Sequence, residues 1–459
     1  MSLRSGSALL IVAFVLLISA SARAEMFTAY LTPAQEVPPT ASTARGFARV
    51  LVNETTGQIT FTVVFEGLSS TQTLAHIHAP AAIGASASPV INFPVVGGTS
   101  GTITGTAAIT PTQISQLRQH LGYVNVHSTN FPNGEIRGQL GAARPVDYDG
   151  DGRTDPSVLR FPNIDPPDVA PITWWNLNSY TGPQSVGPFG DANADFPAPG
   201  DYDGDGKGDI AVFRSAGVGS QSFYWILQSS DNTVQAIAFG LDGDETVQRD
   251  YDGDGKTDMA VFRRGGASTD PTVWWIRRSS DPSNFSVVAF GQTGDGISSG
   301  DVPIPGDYDG DGKFDLAVYR VGLTPANNYI ILQSSNLTVR WQQFGNFNSD
   351  YVLPGDYDGD GKYDLAVART GATGTSPLVW WILQSSTNTT RTQTFGRTSD
   401  FPVQGDYDGD ARTDIAIYRA GATGGAASSF WIFNSFTQSA STFNWGLGAD
   451  FPVNTFDIR

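Results

Sequence analysis

The sequence predicts an all-β chain, an N-terminal antiparallel β-sandwich followed by a six-bladed β-propeller. Three observations carry this expectation. One nine-residue acidic phrase recurs six times, with starts 54, 49, 57, 49 and 50 residues apart, and periods near 50 mark propellers or arrays. Each copy is followed by short β-branched and aromatic runs, with no amphipathic helix between them. The region before the first copy lacks the phrase and reads as a separate set of strands.

The clearest copy of the phrase is Asp307-Tyr308-Asp309-Gly310-Asp311-Gly312-Lys313-Phe314-Asp315. The others begin at Asp147, Asp201, Asp250, Asp356 and Asp406. Carboxylates stand at positions 1, 3, 5 and 9, and Gly at position 6 except in the last copy, which has Ala411. Alternate Asp side chains turned inward, plus a backbone carbonyl at position 7, make an oxygen cage for a hard cation, and Gly permits the sharp turn. Without a cation, four clustered carboxylates would repel one another.

Calcium, about six ions, is therefore the expected ligand. The residues assigned to it are Asp147, Asp149, Asp151 and Asp155; Asp201, Asp203, Asp205 and Asp209; Asp250, Asp252, Asp254 and Asp258. The last three copies supply Asp307, Asp309, Asp311 and Asp315; Asp356, Asp358, Asp360 and Asp364; Asp406, Asp408, Asp410 and Asp414. The position-7 carbonyls belong to Arg153, Lys207, Lys256, Lys313, Lys362 and Arg412. An EF-hand would need a helix on each side of the loop, so the loop is expected to be a hairpin turn between strands.

From its start, the chain has 459 residues, 27 basic and 45 acidic, a formal net charge of −18 and no cysteine. That length suggests at least two domains. Residues 1–24 carry Arg4, an apolar run from Ala8 to Ile18 and the small-residue site Ala22-Arg23-Ala24, the pattern of a secretory signal. No later apolar segment of about 18 residues follows. The expectation is export to the cell exterior, the cell surface or a periplasm, without a membrane span and without disulfides.

The acidity has a local cause. The six loops hold 24 of the 45 acidic residues, and six bound calcium ions would bring −18 to −6. Most of the negative charge is then ligand charge, and neither nucleic acid nor anionic membrane is expected as a partner. A monomer is expected.

Residues 25–143 read as the sandwich. Gly46–Val52, Gln58–Phe65, Gly101–Ile109 and Tyr123–His127 read as strands, and Thr110-Pro111 opens a short helix ending at Gly122. All four histidines lie here. His76 and His78 share one face of a strand, and Asn125 and His127 alternate likewise on a later one. His76, His78 and His127 could converge as three imidazoles holding Cu or Zn. Alternatively they are structural, bonded to Asn125, Glu135 or Arg137 and pinning two sheets together.

Ala75-His-Ile-His-Ala-Pro80, Tyr123-Val-Asn-Val-His-Ser128 and Phe131-Pro-Asn-Gly-Glu-Ile-Arg-Gly-Gln-Leu140 resemble the CHRD domain across residues 26–141. The resemblance implies a β-sandwich in an extracellular context.

Ala142-Ala-Arg-Pro145 links to the repeats at 144–459. In each repeat a strand enters the Asp loop and a strand such as Asp315-Leu-Ala-Val-Tyr-Arg320 leaves it. An aromatic strand such as Trp380-Trp-Ile-Leu383 follows, and a fourth ends near Phe-Gly, as at Phe395-Gly396. Four strands in six repeats make six blades. These phrases resemble the FG-GAP/VCBS repeats of integrin-α-like propellers over 147–459, a family found in adhesins, lectins and enzymes. The C-terminal Asp450-Phe-Pro-Val453 repeats the approach to a loop without one, so it can pair beside the first blade and remove both free edges.

All ten tryptophans lie in the repeats. Adjacent strand residues point to opposite faces, so the Trp pairs are expected to pack between blades rather than form a sugar platform. Residues 146–459 contain no His, no Cys and one Glu, Glu245, poor material for general acid/base work. Asp195, Asp301, Asp350, Asp400 and Asp450 recur at equivalent places, which suggests a turn or cap. The expected role is non-catalytic binding or adhesion toward an extracellular glycan or protein. A carbohydrate-active hydrolase or lyase using the propeller channel, and a Cu- or Zn-binding sandwich, are the alternatives.

Overall fold

The computed structural model describes residues 24–453 other than 83, 143, 162–169, 216, 218, 295–299, 322–327 and 347–349. The expected signal segment up to residue 23, part of the linker and the last residues of the C-terminal half-repeat lie outside these.

The N-terminal strands are β1 (Ala24–Leu31), β2 (Arg45–Asn53), β3 (Gln58–Glu66), β4 (Gln72–His78), β5 (Pro89–Asn92), β6 (Gly101–Ala108), β7 (Tyr123–Ser128), β8 (Ile136–Gln139) and β9 (Gly141–Ala142). Strict alternation in β2 and β3 turns Ala48, Val50 and Val52, with Ile59, Phe61, Val63 and Phe65, to one side. They form a five-stranded sheet in the order β6-β3-β2-β1-β9. The second sheet runs β5-β4-β7-β8, and its Ile77, Val124 and Val126 share one core with Val50 and Phe61. That shared core makes the sandwich.

The helix α1 (Pro111–Arg118) starts as expected: Thr110 accepts from the Gln113 amide and the Gln113 side chain accepts from Thr110. Its end differs. His120, at φ 53°, takes the left-handed conformation and stops the helix before Gly122 is reached.

The repeats form six four-stranded antiparallel sheets. The second is typical, with strands Asp195–Pro197, Ile210–Arg214, Gln221–Leu227 and Val234–Leu241 in sequence order. The first sheet takes its fourth member from the far end of the chain: Phe451 and Pro452 pair with Leu159 and Val158.

Each sheet packs on the next. Val212 of the second sheet joins Ile172 and Trp174 of the first, and Val261 of the third joins Phe213 and Tyr224 of the second. Val318, Leu365 and Ile417 continue the series into the fourth, fifth and sixth sheets. Val158 of the first sheet packs with Tyr418 and Phe430 of the sixth, which closes the ring. Six sheets in a closed ring fit the six-bladed reading.

The Phe-Gly phrase has a steric cause. Register shifts fall opposite it, as between Gln221 and Phe223, and Gly240 sits at φ 81°. A Cβ there would stand 3.0 Å from the Phe213 ring and 3.2 Å from Val261 of the neighbouring sheet. Only Gly supplies both the bulge and the close approach.

The tryptophan pairs divide as alternation requires. Trp174, Trp274 and Trp380 are wholly buried between sheets, whereas Trp175, Trp275 and Trp381 each lie under an Arg, at 4.9 to 5.2 Å.

Candidate metal centres

Each acidic phrase is a hairpin turn whose carboxylates are held by amides before any ion is considered. In the second sheet, Asp201 Oδ1 accepts from the Gly204 amide at 2.6 Å and Oδ2 from the Gly206 amide at 2.9 Å. Asp209 Oδ2 accepts from the Tyr202 amide at 2.9 Å, which ties position 9 back to position 2. The Lys207 amide donates to Asp205 Oδ1 at 2.9 Å. The position-7 amides of Arg153, Lys256, Lys313, Lys362 and Arg412 do the same in the other loops. Ala411 replaces Gly at position 6 of the last loop and still adopts φ 68°, donating to Asp406 Oδ2.

The loops gather their carboxylates as the spacing requires. Asp147, Asp149 and Asp155 bring oxygens within 4.8 Å of one another, as do Asp201, Asp203 and Asp209. Asp250, Asp252 and Asp254, and Asp307, Asp309 and Asp311, form further groups of this kind. The position-9 side chains Asp155, Asp209, Asp258, Asp315, Asp364 and Asp414 are fully buried. Burial, with repulsion from Asp252, pushes Asp258 up to about 7, and burial with the Asp358 charge pushes Asp364 up to about 8.

One oxygen per loop is left over in several copies. Asp149, Asp252 and Asp309 each bury an Oδ1 with no hydrogen-bond partner among the described residues. A buried carboxylate oxygen without a donor is costly. Clustered, desolvated oxygens on a Gly-permitted turn fit a hard divalent cation.

Serines outside the nine-residue phrase, not among the residues expected from sequence, complete these sites. Ser229 donates its amide to Asp209 Oδ1 at 2.7 Å and its hydroxyl to Asp205 at 2.9 Å, and the Ser230 hydroxyl donates to Asp203 at 2.6 Å. Ser279 and Ser280, Ser334 and Ser335, and Ser385 and Ser386 repeat the arrangement. The signal was present: a Ser-Ser pair follows the aromatic strand in four of the six repeats. The recurrent Asp residues also have a fuller role than a cap. Asp195 Oδ1 and Oδ2 accept from Arg214 Nε and Nη2, both at 2.7 Å, and Oδ2 accepts the Asp191 amide.

The sandwich sits against this loop end of the ring. Arg49 donates to the carbonyls of Gly150 and Asp149, both at 2.8 Å, and Gln35 donates to the Gly409 carbonyl at 3.2 Å. Arg144 Nη2 lies 3.0 Å from Asp406 Oδ2, and His120 Nδ1 lies 3.2 Å from Asp356 Oδ2. A cavity of about 220 Å³ lies where Asp250, Asp307 and Asp356 converge, bounded on the sandwich side by Phe27, Arg118 and His120.

The three remaining histidines meet on the face of the β5-β4-β7-β8 sheet turned away from the shared core, since Ala75, Ile77, Val124 and Val126 take the inward positions. His76, His78 and His127 place ring nitrogens within 4.8 Å of one another, with His76 Nδ1 3.2 Å from His127 Nε2. The structural alternative from sequence fails in its details. His78 Nδ1 bonds the Ala87 carbonyl and His127 Nδ1 the Pro132 carbonyl, each at 2.9 Å, not Asn125, Glu135 or Arg137. All three also lie on one sheet, because β4 pairs with β7, so they do not pin two sheets together. Burial lowers the basicity of all three rings, His76 to about 4.

These features define an all-β protein made of a histidine-bearing sandwich and a ring of sheets with acidic loops. The chain carries a CHRD domain over residues 27–140 and an FG-GAP-like repeat over residues 250–318. No curated protein matches it. Among solved structures it is similar to a chain from "Structural and Mechanistic Analysis of Two Prolyl Endopeptidases: Role of Inter-Domain Dynamics in Catalysis and Specificity", at 11% identity and a TM-score of 0.32, covering 88% of this chain and 54% of that one. It is also similar to Pyrococcus horikoshii acylaminoacyl peptidase, at 10% identity and a TM-score of 0.30, covering 93% and 67%. The chain thus spans about half the length of the first, and likeness at these TM-scores carries no functional argument. Among the described residues, no helix is long and apolar enough to cross a membrane.

Proposed function

We propose that this chain is an exported, calcium-stabilised protein with a non-catalytic binding or adhesion role toward a glycan or protein. The observation that carries the calcium reading is the set of buried Oδ1 atoms of Asp149, Asp252 and Asp309, unpartnered among the described residues. The CHRD domain and the FG-GAP-like repeat support an extracellular binding role. The sandwich covers the loop end of the ring, so a ligand has better access at the other end. Phe196 and Phe401 lie five residues before their loops, about 16 Å along a strand. With Tyr351 and Phe451, which occupy matching positions in their sheets, they are 40–52% exposed.

The cavity carboxylates favour binding over hydrolysis. Asp250, Asp307 and Asp356 each accept three amides of their own loop, as a structural cation ligand does and a free acid or base does not. A glycan and protein-ligand screen of the full chain in millimolar calcium tests the reading. Retained ligand without turnover, weakened in Phe401→Ala and Phe451→Ala at unchanged melting temperature, is the expected result. Cleavage of a retained glycan would overturn it.

A further inference from the structure

The histidine cluster lies apart from the acidic loops and is built for a different kind of ion. Its hydrogen bonds fix which nitrogens are free. A carbonyl oxygen only accepts, so Nδ1 of His78 carries a proton toward Ala87, and Nδ1 of His127 carries one toward Pro132. In the neutral rings Nε2 of both is then a bare lone pair. The His127 lone pair faces His76 Nδ1 at 3.2 Å. The His78 lone pair is buried with no partner at all among the described residues.

We propose that His76 Nδ1, His78 Nε2 and His127 Nε2 form a three-imidazole site for a late first-row divalent ion, copper or zinc. Two nitrogens at about 2.0–2.1 Å from one ion, subtending 90–109°, stand about 2.8–3.4 Å apart, and the 3.2 Å separation falls within that span. Backbone carbonyls that hold the far nitrogen of a ligating histidine are the usual second layer of such sites, since they fix both tautomer and ring orientation.

The local backbone explains how the sequence achieves this. β4 and β7 are antiparallel neighbours, with His76 opposite Asn125, Leu74 opposite His127 and His78 opposite Tyr123. Period-two alternation puts His76 and His78 on one face, and the pairing brings His127 beside them. The Tyr123 ring stacks on His78, with centroids 4.7 Å apart and planes 6° apart, which holds that imidazole in place. The donor set is all imidazole, with no thiolate in the chain. Imidazole suits copper and zinc, and copper(II) binds such ligands more tightly than zinc(II). Calcium, which takes oxygen, does not compete here. Three protein ligands leave a fourth position for water or another small ligand.

The test uses the full chain in millimolar calcium, which keeps the acidic loops supplied, after removal of copper and zinc. Cu²⁺ and Zn²⁺ are titrated separately by calorimetry, and the copper-loaded sample is examined by electron paramagnetic resonance. The expected result is one site per chain, with nitrogen hyperfine structure from imidazole in the copper form. His78→Gln and His127→Gln should each weaken binding at least about 100-fold, and His120→Gln should leave it unchanged. Thermal melting of the metal-free variants shows whether they fold. If they do not, the nitrogen count on wild-type protein decides alone. Tight zinc with weaker copper still supports the site and names its ion. Binding of neither ion below about 10 μM, or copper held by oxygen alone, overturns the proposal.

Discussion

The amide of Thr154 donates to the carbonyl of Asp406 at 2.7 Å, joining the first acidic loop to the sixth across 252 residues of sequence. The same bond runs around the ring. Gly208 donates to Asp147, Thr257 to Asp201, Phe314 to Asp250, Tyr363 to Asp307 and Thr413 to Asp356. Position 8 of each loop is thereby tied to position 1 of the loop before it. Disorder in one loop frees a backbone group in its neighbour, so the six turns are coupled.

Calcium removal is therefore expected to act on the whole ring. Extracellular sites bind at about 10⁻⁴–10⁻³ M, so 2 mM calcium contributes roughly 0.7–1.8 kcal/mol per site. Six sites give about 4–11 kcal/mol, comparable to the whole stability of an ordinary domain. A thermal scan in excess chelator should show a large fall in melting temperature, recovered on adding calcium. Superimposable scans with and without the ion would remove calcium from the account.

The serine pairs should tune affinity without carrying the fold. Ser385 and Ser386 hold Asp364, Asp360 and Asp358 through hydroxyl and amide donors. Replacing both by Ala keeps the Ser385 amide bond and removes two hydroxyls that orient ligand carboxylates. One of the six proposed calcium sites should weaken by about tenfold, read by calorimetry as one site of lower affinity. An unchanged isotherm would show that the loops orient themselves.

Ring closure has its own test. Asp450 accepts from Arg160 Nε and Nη2, both at 2.8 Å, and from the Leu447 amide at 2.8 Å. Asp195 makes equivalent bonds to Arg214 within one repeat. Asp450→Ala and Asp195→Ala should each cost about 2 kcal/mol in denaturant melts. Only Asp450→Ala loosens Phe451–Pro452 from the strand Ser157–Arg160, exposing a sheet edge. Scattering should therefore show concentration-dependent association for Asp450→Ala alone.

A pH signature comes from the sandwich. Burial pushes the Glu36 carboxyl from 4.5 up to about 7, against the opposing pull of Arg137. A folded-state value above the unfolded one means the stabilising contribution is full below about pH 4.5 and is lost as pH rises through 7. In calcium-saturated protein, Glu36→Gln should match wild type near pH 4 and exceed it at pH 8 by an amount on the order of 3 kcal/mol. Gln can still accept from Asn125, which now donates to Glu36 at 2.9 Å. A stability difference independent of pH would show that Glu36 does not titrate in this range.

Much of the ring was legible in the residues because its determinants are local and repeated. The Asp phrase, the β-branched exit strand and Phe-Gly each recur six times or nearly so, and the tryptophan pair three times; repetition separates a requirement from an accident. The helix end was misplaced because His120 adopts a left-handed conformation that sequence rules assign to the nearby Gly122. The Asp–Arg pairs were missed because nothing in a strand's own sequence shows which neighbour it faces.

The sequence by itself determined the strands, the acidic turns, their number and the chemistry they suit, because those depend on alternation, on Gly and on carboxylate spacing within nine residues. Only the tertiary structure decided that Ser229 and its counterparts complete the loops and that the sandwich covers the loop end. It also decided that His76 and His127, 51 residues apart, stand 3.2 Å from each other. Such contacts are set by strand pairing and packing over long stretches of chain, and the order of residues does not display that geometry.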